Sequence, residues 1–99
     1  MKVIVTEAAI NDLIQIGQYI KRDSPERAKA FVDELYERCQ RLGNMPRAFP
    51  LVPGHEQSGI RRRPHGNYLI FYVAKRSTVE ILHILNGAMD YERILFSDD

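Results

Sequence analysis

Tyr68-Leu69-Ile70-Phe71-Tyr72-Val73-Ala74, then Lys75-Arg76-Ser77-Thr78, then Val79-Glu80-Ile81-Leu82-His83-Ile84-Leu85 is the stretch that decides the fold. Its first seven residues are aromatic, β-branched or aliphatic on both faces, which reads as a buried strand. The polar quartet turns the chain. The second apolar run, broken after Glu80 only by His83, then returns as an antiparallel neighbour. Upstream, Ile60 to Arg63 is a shorter run closed by the turn Pro64-His65-Gly66-Asn67, so three strands follow one another as a meander. Downstream, Asn86-Gly87 punctuates, and Asp90 to Leu95 reads as a short terminal helix or tail.

Toward the N-terminus the period changes from two to about 3.6. Lys2 to Val5 is a short β-branched strand, and Thr6 offers an N-cap oxygen with Glu7 in the first turn, where a carboxylate suits the helix dipole. Ile10, Leu13, Ile14, Gly17 and Ile20 then form one stripe of an amphipathic helix that ends near Arg22. Ser24-Pro25-Glu26 restarts the pattern, with a cap, a proline in the first turn and an acid beside the dipole. Ala28, Phe31, Val32, Leu35, Cys39 and Leu42 line the second helix, and Gly43 is its expected C-terminal stop. So short a link predicts an antiparallel helical hairpin. The order β-α-α-β-β-β is an α+β fold, with the hairpin packed on one face of a small, mostly antiparallel sheet.

At 99 residues the chain is expected to be one domain, 1–99, and its 44% hydrophobic and 27% charged residues are ordinary for a folded protein. It contains no run of about 20 apolar residues, so no membrane span is expected. A single cysteine, Cys39, provides neither an internal disulfide nor a multi-cysteine metal site. Polar residues come too early at the N-terminus for a signal peptide, and a reducing, cytoplasmic home is expected. No metal, cofactor or deep cofactor cleft is expected. The net charge of +1 gives no reason to expect sequence-specific DNA binding by this chain alone. The charge is unevenly spread, however: Gln57 to Val79 holds five basic residues and no acid, whereas the last ten residues hold Asp90, Glu92, Asp98 and Asp99 against Arg93.

Several stretches together resemble the ParE/RelE toxin superfamily of type II toxin-antitoxin systems over nearly the whole chain. They are Thr6-Glu7-Ala8-Ala9, Ser24-Pro25-Glu26-Arg27-Ala28, Met45-Pro46 with Phe49-Pro50, and Gly59-Ile60-Arg61-Arg62-Arg63. The most specific are Asn67-Tyr68-Leu69-Ile70-Phe71-Tyr72 and Val79 to Asp90. RelE-like members cleave messenger RNA with cationic side chains. Here His83 and Met89 stand where relatives often carry arginine, and losing one preorganised donor costs a factor of about a hundred or more in rate. The ParE branch is therefore favoured. That resemblance implies a non-enzymatic toxin that inhibits DNA gyrase and is neutralised by a ParD-like antitoxin in a hetero-oligomer. The alternatives are a ribosome-dependent endoribonuclease using Arg61, Arg63, His83, Tyr91 and Arg93, and an inactive fold that serves its antitoxin as a co-repressor.

Individual residues carry competing readings. Arg61-Arg62-Arg63 with His65 suits an acidic partner or a phosphate backbone, or else charges that protect a sheet edge; strand alternation puts Arg61 and Arg63 on one face and Arg62 on the other. His83 and Tyr91 have acid-base chemistry, but a histidine in an apolar strand is usually a satisfied sheet residue. Tyr68, Phe71 and Tyr72 read as sheet core rather than as base-stacking platforms, and Cys39 as an inert core filler. If the sheet leaves part of the helical stripes uncovered, an amphipathic antitoxin helix would fit there, over Ile10, Leu13, Tyr19, Phe31 and Tyr36, with Arg61 assisting. The terminal Tyr91, Arg93, Ile94, Leu95 and Phe96 suit a contact with the toxic target, or else closure of the core.

Overall fold

The computed structural model describes residues 1–97, so Asp98 and Asp99 of the acidic terminus lie outside it. Along the chain run β1 (Lys2–Val5), α1 (Glu7–Lys21), α2 (Pro25–Arg41), β2 (Ile60–His65), β3 (Tyr68–Ala74), β4 (Thr78–Asn86) and α3 (Tyr91–Phe96), with a 3-10 turn at Glu56–Ser58. This is the expected β-α-α-β-β-β order. The sheet order is β1-β4-β3-β2, in which β1 runs parallel to β4 while β4, β3 and β2 are antiparallel.

Both long helices begin where the sequence places their caps. Thr6 Oγ1 accepts from the Ala9 amide at 3.3 Å, and Ser24 Oγ accepts from Arg27 at 3.2 Å. Thr6 also donates its hydroxyl to the Ile81 carbonyl at 2.7 Å, which fastens the start of α1 to the central strand. The hairpin covers one sheet face, where Ala9, Leu13, Ile16, Leu35, Cys39 and Leu42 meet Ile70, Tyr72, Val79, Ile81 and Ile84. On the opposite face Phe71, Leu85, Ile60 and Val52 form a smaller core, roofed by Tyr91, Leu95 and Phe96 of α3.

Four local expectations are corrected. The buried stripe of α1 is Ala9, Leu13 and Ile16, while Ile10 and Ile14 are 38% and 53% exposed. The helix is rolled because Asp12 is drawn to β4, its Oδ2 accepting from the Ile84 amide at 2.8 Å. Gly43 has no left-handed backbone; a Cβ there would lie 2.4 Å from the Met1 carbonyl oxygen and 2.9 Å from Val3, so close approach to β1 explains the glycine. β2 runs through Pro64 to His65, leaving Gly66-Asn67 as a two-residue turn with Gly66 at φ 59°. The Arg62 amide points outward, to the Pro50 carbonyl, and by alternation so does the Pro64 nitrogen, which has no hydrogen to lose. Finally, the first half of β2 is not an open edge: Val52 N donates to Ile60 O and Arg62 N to Pro50 O, so residues 50–52 cover it.

Candidate functional site

The basic strip divides as alternation requires. Arg61 and Arg63 pair with Tyr72 and Ile70, which belong to the helix-side core, whereas Arg62 pairs with Phe71 of the opposite core. On the helix side, Phe49 links the two arginines: Arg61 Nη1 donates to its carbonyl oxygen at 2.7 Å, and the Arg63 guanidinium lies 4.9 Å from its ring centroid. Burial, with the charges of Arg38 and Arg41, holds the Arg63 guanidinium below its ordinary range, while Cys39 and Tyr72 pull the other way. Burial also pushes the Tyr72 phenol up, opposed by the Phe49 backbone and the charges of Arg61 and Arg63.

On the opposite face, Arg62 Nη1 donates to the Tyr91 hydroxyl at 2.7 Å, and the Tyr91 ring packs 5.0 Å from that of Phe71. Phe96 stacks on His55 at 3.8 Å and 4°, and His55 Nε2 lies 2.7 Å from Glu92 Oε2. Tyr91, Leu95 and Phe96 are therefore anchors that hold α3 down, while Arg93 and the 44% exposed Ile94 face outward.

His83 meets a partner that no local pattern in the sequence could supply. The register of β3 and β4 shifts by one between Phe71 and Tyr72, which leaves Leu82 as an extra residue. His83 and Ile84 consequently both reach the helix side: Ile84 enters the core, and His83 Nδ1 lies 2.8 Å from Asp12 Oδ2. The carboxylate can only accept, so Nδ1 carries the proton. The five side chains of the endoribonuclease reading do not converge. Arg61 and Arg63 gather at Phe49, His83 at α1, and Tyr91 on the other side of the sheet beside Arg62, while Arg93 is solvent-exposed. Among the described residues no three His, Cys, Asp or Glu side chains gather as metal ligands, and no helix is long and apolar enough to cross a membrane.

Hollows lined by both helices open along the hairpin. Tyr19, Phe31 and Tyr68, with Arg27, Glu34 and the Gly66-Asn67 turn, line a cleft of about 520 Å³. On the outer side, Leu13, Ile14, Gly17, Ala28 and Val32 line a groove of about 440 Å³, where a Cβ on Gly17 would lie 3.2 Å from Val32. Leu13, only 5% exposed, belongs to the core as well as to the floor of that groove, whereas Tyr19 at 65% and Tyr36 at 45% are accessible. Phe49 and Asp12 carry no local signal as site residues, because each acquires its role from a contact distant in sequence, 12 residues for Phe49 and 72 for Asp12.

A sequence profile of the family described as "ParE toxin of type II toxin-antitoxin system, parDE" matches residues 3–91. The chain belongs to the ParE toxin family. The fold agrees: a solved structure described as "Chromosomal ParDE TA system from P. aeruginosa" superposes with a TM-score of 0.74 at 22% identity, covering 87% of this chain and 95% of that one. Among curated proteins no sequence matches. Membership of the ParE family places this chain among the toxins of type II toxin-antitoxin systems.

Proposed function

We propose that the chain inhibits DNA gyrase in the cytoplasm without catalysing a reaction, and that a ParD-like antitoxin holds it inactive in a hetero-oligomer. Family membership supports the toxin class. The observation that carries the non-enzymatic reading is the scatter of Arg61, Arg63, His83, Tyr91 and Arg93 over both sides of the sheet, because acid-base catalysis needs its groups within hydrogen-bond reach of one reacting centre. The antitoxin surface comprises Ile10, Leu13, Tyr19, Phe31 and Tyr36 with Arg61 at its margin, where amphipathic rings and aliphatic side chains suit an apolar helix. The target surface is the outward side of α3, Arg93 and Ile94, presented by the anchors Tyr91, Leu95 and Phe96.

Purified chain added to gyrase and relaxed plasmid is expected to block supercoiling or trap cleaved DNA, and its controlled expression to stop replication before translation. Ribosome-dependent cleavage of messenger RNA with supercoiling intact would overturn this and favour the endoribonuclease. The Asp12-His83 pair would then be the place to start, because Asp12 orients the ring and leaves Nε2 free to accept a proton.

A further inference from the structure

Two side-chain polar atoms among the described residues are sealed from solvent with nothing to bond: Arg63 Nη1 and Tyr72 Oη. They are neighbours. Tyr72 pairs with Arg61 across the strands, and Arg63 lies two residues further along the same face, the diagonal position. Phe49 lies against both, its ring 4.9 Å from the Arg63 guanidinium and its backbone close enough to Tyr72 to act on the phenol. The nearby Arg38 and Arg41 are already matched by Glu34 and Glu37, whereas the ion pairs of the described residues include neither Arg61 nor Arg63.

A buried donor without an acceptor is costly, and native proteins rarely tolerate one without a use for it. Here two such groups, one cationic and one hydroxyl, share one face of adjoining strands in a place with spare positive charge. The Phe49 ring lies 4.9 Å from the centre of the guanidinium; once uncovered, the N–H edge of that group matches the two oxygens of a carboxylate, and the phenol adds another donor. A dianionic phosphate fits less well beside Glu34 and Glu37. Phe49 belongs to residues 44–59, outside the sheet and the long helices, and is only half-buried.

We propose that Arg63 and Tyr72 form a carboxylate pocket for an Asp or Glu side chain in an acidic segment of the antitoxin, which enters by displacing the Phe49 ring. The proposal rests on the reading of the chain as a toxin held by an antitoxin, and it adds the chemistry of one anchoring contact.

The test is calorimetric titration of the full chain and its variants by capped hexaglutamate peptide, with the Arg63 Nε resonance of nitrogen-15-labelled arginine side chains followed in every chain that keeps Arg63. The peptide is expected to shift that resonance. Arg63→Gln should weaken binding about tenfold, as loss of a charge-assisted hydrogen bond does. Tyr72→Phe should also weaken it, because the phenol can no longer donate to the carboxylate. Phe49→Ala should tighten binding, and Phe49→Leu, which keeps more of the packing, should do so to a lesser degree. Equal affinity in the wild type, Arg63→Gln and Tyr72→Phe chains would overturn the pocket, as would weaker binding in both Phe49 variants. Inorganic phosphate that shifts Arg63 Nε as strongly as the peptide at equal charge would assign the site to a free anion and overturn the peptide assignment. None of these readouts involves gyrase. A chain that binds hexaglutamate through Arg63 but leaves supercoiling untouched would refute the proposed function and leave the pocket standing.

Discussion

Cys39 shows how burial alone decides a residue's chemistry. It has no exposed surface, and burial pushes its thiol up to about 12 from an ordinary 9.0, with the Arg63 charge opposing. A thiol in this state is inert toward alkylation in the native chain, in keeping with the core-filling role read from its place on the α2 stripe. The linkage has a definite sign. Above about pH 9 the unfolded chain releases this proton while the folded chain keeps it, so stability is intact below pH 9 and falls above it, by up to about 1.4 kcal/mol per pH unit. Urea midpoints at pH 8 and pH 10 should separate in the wild type and lie closer together in Cys39→Ala. Asp12 makes the complementary case, a polar residue whose value lies in what it satisfies. Asp12→Ala leaves the Ile84 amide and the His83 ring without their acceptor, for an expected loss of about 1–3 kcal/mol. Asp12→Asn keeps a carbonyl oxygen and should lose less in the same urea titration.

At the scale of elements, what the sequence disclosed and what it hid follow from the range of the forces involved. The caps at Thr6 and Ser24, the helical stripes and the paired apolar runs of β3 and β4 are local patterns, and each element appears where they put it. The roll of α1 depends on Asp12 meeting β4, and the passage of β2 through Pro64 depends on which edge faces solvent; neither is written in neighbouring residues. The site was legible to the same degree. Alternation along β2 separated Arg62 from Arg61 and Arg63, but Phe49 as their common partner lies in a proline-punctuated connection with no periodicity to read. Gly43 shows how a correct location can carry the wrong reason. It ends the helical region as expected, yet Gly43→Ala should destabilise the chain because the new methyl meets the Met1 backbone at 2.4 Å. Overpacking of this kind costs about 1–3 kcal/mol. Were the glycine only a helix stop in relaxed backbone, thermal unfolding of the alanine variant would show no loss.

For the whole molecule, the division of labour within α3 sets the choice of mutations. Tyr91 bonds Arg62 and packs on Phe71, so removing its ring disturbs the second core as well as any contact. Arg93 and Ile94 touch neither. Arg93→Ala with Ile94→Ala should abolish growth arrest while shifting stability by no more than about 0.5 kcal/mol, the range usual for surface changes. Full toxicity in a normally folded double variant would move the target surface to the helical hairpin or the Phe49 arginines. The sheet order has a consequence for the timing of synthesis. β1 is made first but pairs only with β4, Lys2 opposite Thr78 and Val5 opposite Ile81, and β4 also supplies the anchor for Thr6 and the amide for Asp12. A nascent chain thus has an N-terminal strand with no strand to pair with until Thr78 to Ile81 have been made. Because non-local pairing of this kind is slow to form, β1 and the cap of α1 reach their native places only after β4 has been made, so the first-made strand is among the last to be fixed.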